Sequence, residues 1–436
     1  MAVHRQPGTV ITDHTFSVPL DHAAPDGERI EIYAREVVAA GREHDTLPWL
    51  LYLQGGPGGR SPRPLGRDGW LTRALDDYRV LLLDQRGTGR STPATRQTLP
   101  TRGDAAAQAR YLSCFRADSI VRDCELVRSQ LLGPDERWSV LGQSFGGFCA
   151  VTYLSFAPQG LKEVFITGGL PGLRSSAADV YRAAYPRVAR KNAAHYARYP
   201  GDVATARAVT RLLRDEVVTL PHGGRLTPEA FQALGLMLGS ATGSHTLHYL
   251  LEDAFVASPH GPVLSDSFLT EAQHHLSFAG NPLYAVLHEA IYGQRSVSPH
   301  GTGWAADAVR ADFPEFDAAT ALAGDGPVLF TGETIHPWMF ETDPALAPLR
   351  ETADLLARRE QWPDLYDAAQ LAVNEVPVAA AIYHDDMYVD TAHSLATAGA
   401  VRGLRTWVTD EYEHDGLRVS GGRVLDRLVR LARGEL

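Results

Sequence analysis

The spacing of apolar residues changes its rhythm three times along this chain. Residues 10–38 alternate apolar and polar in two runs, ITDHTFSVPL and RIEIYAREVV, on either side of a turn-rich stretch from Asp21 to Glu28. Period-two alternation broken by one turn predicts an antiparallel hairpin at the edge of a sheet. The next apolar runs do not alternate: LPWLLYL (47–53), YRVLLLD (78–84), WSVL (138–141) and the start of LKEVFITGGLPGL (161–173). Such runs are what strands covered on both faces require. Gly168, Gly169 and Pro171 mark the end of the last one. Between these strands, SIVRDCELVRSQLLG repeats its apolar residues near every 3.6 positions and stops at Gly133, as a helix does. Strand, helix, strand at these intervals predicts a mostly parallel sheet with helices on both faces.

That rhythm is lost from about Leu173 to Glu375, where helical periodicity is broken by Gly and Pro. One short apolar run in this stretch, PVLFT at 327–331, has the character of a strand. Strand character returns at 376–383 (VPVAAAIY) and 404–409 (LRTWVT), and the chain closes with the amphipathic VLDRLVRLARGEL. The expected organisation is a core from residues 1–172, a large, mainly helical cap over 173–375, and the rest of the core in 376–436. No internal repeat or low-complexity tract interrupts it.

The chemistry gathers where one buried strand meets an apolar helix. Gly142-Gln143-Ser144-Phe145-Gly146 is G-x-S-x-G between the two, the nucleophile-elbow pattern. A serine held on so sharp a turn needs small neighbours two positions away, and Gly147 lets the helix start close to the strand. A serine nucleophile also needs a base, an orienting acid and an oxyanion hole. In this architecture the chain order is Ser, then acid, then His, each past the end of a strand. Asp386 and His414 occupy those places; Asp385 and Asp390 compete with Asp386, and strand alternation would send Asp385 and Asp386 to opposite sides. The oxyanion donors expected are the N–H groups of Phe145, next to the nucleophile, and of Gly56 in the QGGPGG turn, Gln54 to Gly59.

Composition narrows the classes. The chain has 436 residues, 44% of them apolar and 21% charged, with a net charge of −11, which gives no footing for nucleic acid or an anionic membrane. No apolar run approaches the length needed to span a bilayer, and the N-terminus lacks the layout of a secretory signal. Cys114, Cys124 and Cys149 form an odd set without CxxC spacing, which predicts reduced thiols and a cytoplasmic location. No HExxH, phosphate-cradling glycine loop or EF-hand spacing occurs, and His274 and His275, adjacent on a helix, do not face one ion, so no metal or other cofactor is expected.

Taken together, GGPGG, DQRGTGRS, GQSFGG, the DDMY segment and EHDGLR resemble the proline iminopeptidases, serine peptidases of the α/β-hydrolase fold. The likeness runs from about residue 45 to residue 418. It implies Ser144, Asp386 and His414 as the triad and Gly56 and Phe145 as the oxyanion donors. Two features depart from the family: Gln54 stands where many members carry His, and the insertion is longer than in the small members. In the family, cap glutamates receive the substrate's free amine, as a carboxylate in a dry pocket would. Glu289 in LHEAIYGQ and Glu333 in TGETIHPWMFE are the candidates by this likeness, with Glu341 behind them. Trp338, Phe340 and Tyr292 are candidate walls for a pyrrolidine ring. DQRGTGRS is expected to support the site, with Arg86 paired beneath the turn.

The expected activity is release of N-terminal proline from a peptide with a free amine, through an acyl-enzyme. Two alternatives stand beside it: an esterase or amidase for neutral substrates, and a non-catalytic small-molecule-binding protein on the same fold. The sequence leaves the oligomeric state open.

Overall fold

The computed structural model describes residues 2–436, and in it the alternating and the continuous apolar runs join one nine-stranded sheet. The strands are β1 (Val3–Gln6), β2 (Thr9–Pro19), β3 (Arg29–Ala39), β4 (Trp49–Leu53), β5 (Arg79–Leu83), β6 (Trp138–Gln143), β7 (Leu161–Thr167), β8 (Val378–Tyr383) and β9 (Leu404–Thr409). Their order across the sheet is β1-β2-β3-β5-β4-β6-β7-β8-β9. The expected hairpin is β2–β3, paired antiparallel from Thr9 opposite Ala39 to Pro19 opposite Arg29. From β5 to β9 every neighbouring pair is parallel. This is the α/β-hydrolase fold that the sequence leads one to expect.

The unbroken apolar runs are explained by what lies on each face. Along β4, Leu51 and Leu53 join a core that includes the helices Ala117–Leu132 and Phe145–Phe156. Leu50 and Tyr52 face the other way, toward the helices Gly69–Asp77 and Arg423–Arg433. Successive side chains of a strand point to opposite faces, so a strand covered on both needs apolar residues at every position.

Between β7 and β8 the chain forms many helices, the longest being Ala177–Arg198, together with two small hairpins at 218–226 and 255–264. These elements build a core of their own around residues such as Tyr181, Phe231, Leu247, Phe268 and Phe330. Leu365 and Leu371, near the end of the stretch, pack instead with the core beside the sheet. No helix among the described residues is long and apolar enough to cross a membrane.

Two expectations need correction. Residues 327–331 are not a strand, because their backbone is satisfied by side chains rather than by a neighbouring strand. Asn192 both donates to the Phe330 carbonyl and accepts from its N–H, at 2.8 Å each. Tyr196 donates to the Val328 carbonyl, and Gln232 to that of Leu329. Conversely β1 was not expected: Val3–Gln6 is an exposed edge strand and has no buried face to imprint a pattern.

Candidate active site

Ser144 stands between β6 and the helix Phe145–Phe156 with φ 56° and ψ −126°. A non-glycine residue in that region costs on the order of 1–3 kcal/mol and persists only where its surroundings fix it. The Ser144 N–H donates to the Thr167 carbonyl at 3.0 Å, and its own carbonyl accepts from Gly147 N–H at 2.7 Å. The small residues are required by contact: a Cβ on Gly146 would land on the Leu53 carbonyl oxygen. The serine is 9% exposed.

His414 follows β9 in a short loop, and its Nδ1 lies 2.7 Å from Asp386 Oδ2. Asp386 is 1% exposed, and its other oxygen accepts the N–H groups of Tyr388 (2.9 Å) and Val389 (3.1 Å). Burial by itself would depress the imidazole pKa. The Asp386 charge and hydrogen bond, with a smaller contribution from Glu333, turn the net shift upward from the usual 6.5. The Gly168–Gly169 pair marks how closely the three residues converge. A Cβ on Gly168 would sit 3.1 Å from His414 Nδ1 and 3.2 Å from Asp386 Oδ2, while one on Gly169 would sit 3.1 Å from Ser144 N.

The competing acids have other partners. Asp385 is half exposed and pairs with His384 Nδ1 at 3.0 Å. Asp390 forms an ion pair with Arg187 and caps the helix Thr391–Ala400.

The QGGPGG turn abuts the nucleophile: a Cβ on Gly55 would lie 2.8 Å from Ser144 Cβ. Neither Gly56 N–H nor Phe145 N–H donates to a protein acceptor among the described residues. At Gln54, the side-chain oxygen accepts from Tyr52 OH at 2.8 Å. Beneath, Arg86 is fully buried and grips Asp123 through two nitrogens at 2.7 and 2.6 Å while donating to the carbonyls of Pro19, Leu20 and Cys114.

The cap candidates separate into two cavities. Glu333 and Trp338 line an apolar chamber, where Tyr284 OH donates to Glu333 Oε1 at 2.5 Å. Glu289 borders a different, small cavity beside Trp304 and Leu356. Its oxygens accept N–H groups from Ala305 (3.1 Å) and Ala306 (2.9 Å), the first residues of the helix Ala305–Arg310. Burial pushes its pKa up against those bonds. Glu341 is half exposed and pairs with Arg350 at 2.8 Å. Phe340 is buried against Trp304 in a cluster that joins the cap to residues 94–115. Tyr292 reaches the elbow, meeting Phe148 edge-on at 5.9 Å, and Phe148 in turn packs on Phe145.

Three residues, one beside the triad and two beside the cap candidates Glu333 and Tyr292, were missed by sequence reasoning. Tyr388 packs edge-on against the His414 ring at 4.7 Å, and its hydroxyl donates to the Leu236 carbonyl in the cap. Tyr284 carries the hydroxyl bonded to Glu333, and buried His288 lies between Tyr284 and Tyr292. Residues 284, 288 and 292 are four apart, the spacing of one helical face, which was the available signal.

Residues 48–417 match the model of a family described by the alpha/beta hydrolase fold. A proline iminopeptidase of Aeromonas sobria is 51% identical over 421 residues, 96% of this chain and 96% of the relative. A proline iminopeptidase of Aspergillus aculeatus is 38% identical over 443 residues, 98% of this chain and 95% of the relative. Near-complete coverage on both sides means that the long insertion is shared with these relatives and is not a separate addition to this chain. The chain belongs to the proline iminopeptidase family of α/β-hydrolase-fold proteins.

Proposed function

We propose that this protein is a prolyl aminopeptidase that releases N-terminal proline by acyl-enzyme chemistry centred on Ser144. The observation that supports this most is the juxtaposition of a strained, glycine-flanked Ser144 with a His414–Asp386 pair at 2.7 Å beneath a cap carrying Glu333. His414 takes the Ser144 proton as Oγ attacks the prolyl carbonyl, and Asp386 holds the imidazole tautomer and stabilises the imidazolium. The N–H groups of Gly56 and Phe145 receive the oxyanion, a role suited to donors without a protein acceptor. The leaving amine takes the proton from His414, which then activates water to free proline.

In this proposal Glu333 receives the substrate ammonium on the oxygen that Tyr284 does not hold. Glu289 contributes at longer range, since its own oxygens are engaged by backbone N–H groups. Trp338 and Tyr292 are the aromatic walls. Residues 173–375 serve as the cap over the two parts of the core, 1–172 and 376–436. The cytoplasmic placement belongs to the same proposal and is supported by three free cysteines, two of them buried.

The test is mass-spectrometric detection of free proline from a Pro-initiated peptide. Wild-type protein should release proline and nothing longer, and Ser144→Ala should release none. Release unaffected by Ser144→Ala, or cleavage confined to simple esters, would overturn the proposal.

A further inference from the structure

The two loops that carry the acid and the base are tied to the cap as well as to the sheet. Asp386 lies between β8 and the helix Thr391–Ala400, and His414 between β9 and the helix Gly416–Val419. Within the core, Asp386 is held by the N–H groups of Tyr388 and Val389, and the His414 ring by Asp386.

Two cap elements add further ties. The first is the short 3₁₀ helix Ala233–Gly239 with the residues just after it. The Gly239 carbonyl accepts the backbone N–H of His414 at 3.2 Å, and Ala241 N–H donates to Asp415 Oδ1 at 3.2 Å. The Leu236 carbonyl accepts the Tyr388 hydroxyl, and a Cβ on Gly239 would land on the Tyr388 ring. Tyr388 in turn meets the His414 ring edge-on at 4.7 Å. The second element is one face of the helix Ala177–Arg198, where Arg187 and Lys191 stand a turn apart. Arg187 pairs with Asp390, and Lys191 pairs at 2.5 Å with Glu413, the residue before His414. Both cations are mostly buried, so salt screens these pairs less than it would surface ones.

The same 3₁₀ helix braces the segment that carries Glu333. The Gln232 carbonyl, just before its start, accepts Thr331 N–H at 2.8 Å, and a Cβ on Gly235 would land on the Thr331 carbonyl oxygen. A Cβ on Gly332 would lie 2.6 Å from Val188 Cγ2 and 3.3 Å from Met387 Cε, one on the cap helix and the other beside Asp386. Glu333 and His414 are thus braced by one cap element.

We propose that the cap holds the general base in place, with Tyr388 and Lys191 as positioning residues that act through His414. The cap then contributes to the chemical step and not only to reading the substrate. The assignment rests on the prolyl aminopeptidase reading for the role of His414. A general base works only within hydrogen-bond reach of its proton, and a displacement of about 1 Å can cost on the order of 10²-fold in rate.

The test uses Tyr388→Phe, which removes one hydroxyl and keeps the ring, Lys191→Met, which removes the cation, and Lys191→Arg, which keeps it. For each, kcat and KM for proline-aminomethylcoumarin are measured beside the rate at which diisopropyl fluorophosphate, which carries no amine, modifies Ser144. Thermal melts set a temperature at which every variant is folded. Tyr388→Phe should lower kcat about fivefold, the rate equivalent of one neutral hydrogen bond, and Lys191→Met about tenfold, that of a charged one. KM should stay within about twofold, and modification of Ser144 should slow in parallel with kcat, as a misplaced base requires. Lys191→Arg should keep kcat within about twofold of wild type. Unchanged kcat in Tyr388→Phe or Lys191→Met, a change confined to KM, modification at the wild-type rate, or equal losses in Lys191→Arg and Lys191→Met would overturn the positioning role while the aminopeptidase reading stands. A wild-type protein that cleaves no proline substrate would overturn both.

Discussion

Replacing Asp386 with Asn tests the triad geometry with the least disturbance of packing. The buried carboxylate makes three hydrogen bonds: one oxygen to His414 Nδ1 at 2.7 Å, the other to the N–H groups of Tyr388 and Val389. Those two backbone donors determine how an amide must sit. Its oxygen has to face them, since the opposite orientation would leave two buried N–H groups unsatisfied at about 1–3 kcal/mol each. The amide NH2 then points at His414 Nδ1 and drives the imidazole into the tautomer that is protonated on Nε2. That tautomer is unable to accept a proton from Ser144. Loss of the correct tautomer costs a Ser-His-Asp site roughly 10⁴ in kcat, about 5 kcal/mol of transition-state stabilisation. The assay is steady-state hydrolysis of proline-aminomethylcoumarin, with a thermal melt to confirm folding. KM should change little, because the substituted group does not touch substrate. Asp385→Asn, at a half-exposed residue bonded to His384, should stay within about twofold of wild type. A kcat above a tenth of wild type for Asp386→Asn, or an equal loss for Asp385→Asn, would refute the reasoning.

Other outcomes follow from the same structure. His414 must be neutral to act as base, and its pKa is shifted upward from 6.5, so kcat/KM should rise with pH through a midpoint above that value. Glu333→Gln should move the midpoint down, because the carboxylate contributes to the upward shift; an unchanged midpoint in a pH–rate profile would count against their proximity. Arg86→Met should lower stability by about 3–5 kcal/mol in urea unfolding, since it removes the cation buried against Asp123, leaving His22 as that carboxylate's remaining side-chain partner, and takes the donor from three carbonyls. Adding Asp123→Leu should recover only part of that loss, because the carbonyls of Pro19, Leu20 and Cys114 still lack their donor, and a single-mutant cost under about 1 kcal/mol would contradict the account of the buried pair.

The fold was legible where burial imposes a period. The hairpin alternates where one face is open, over His14–Val18 and Arg29–Ile32, and β4, β5, β6 and β8 are continuous because both faces are covered. The elbow was legible because its glycines are demanded by contacts at fixed offsets from Ser144. Residues 327–331 misled because an apolar run implies burial but not the partner. Asn192, Tyr196 and Gln232 supply the hydrogen bonds there, and none is close in sequence. Val3–Gln6 left no trace because an exposed edge strand buries nothing. Choosing among Asp385, Asp386 and Asp390 needed the third dimension, since what distinguishes them is their partners. The same holds for Glu333 and Tyr284, which lie 49 residues apart and meet only through the folding of the cap. Tyr388 sat within a quoted motif, but its role as a link between His414 and the cap depends on a carbonyl 152 residues away.

The central claim is that one site joins a serine nucleophile to recognition of a free prolyl amine. The most direct measurement is kcat/KM for proline-aminomethylcoumarin beside its N-acetylated form, in wild-type protein and in Ser144→Ala. The account predicts efficient hydrolysis of the free-amine substrate, strong discrimination against the acetylated one, and loss of activity in Ser144→Ala. Comparable turnover of the two substrates, or turnover that survives Ser144→Ala, would contradict it.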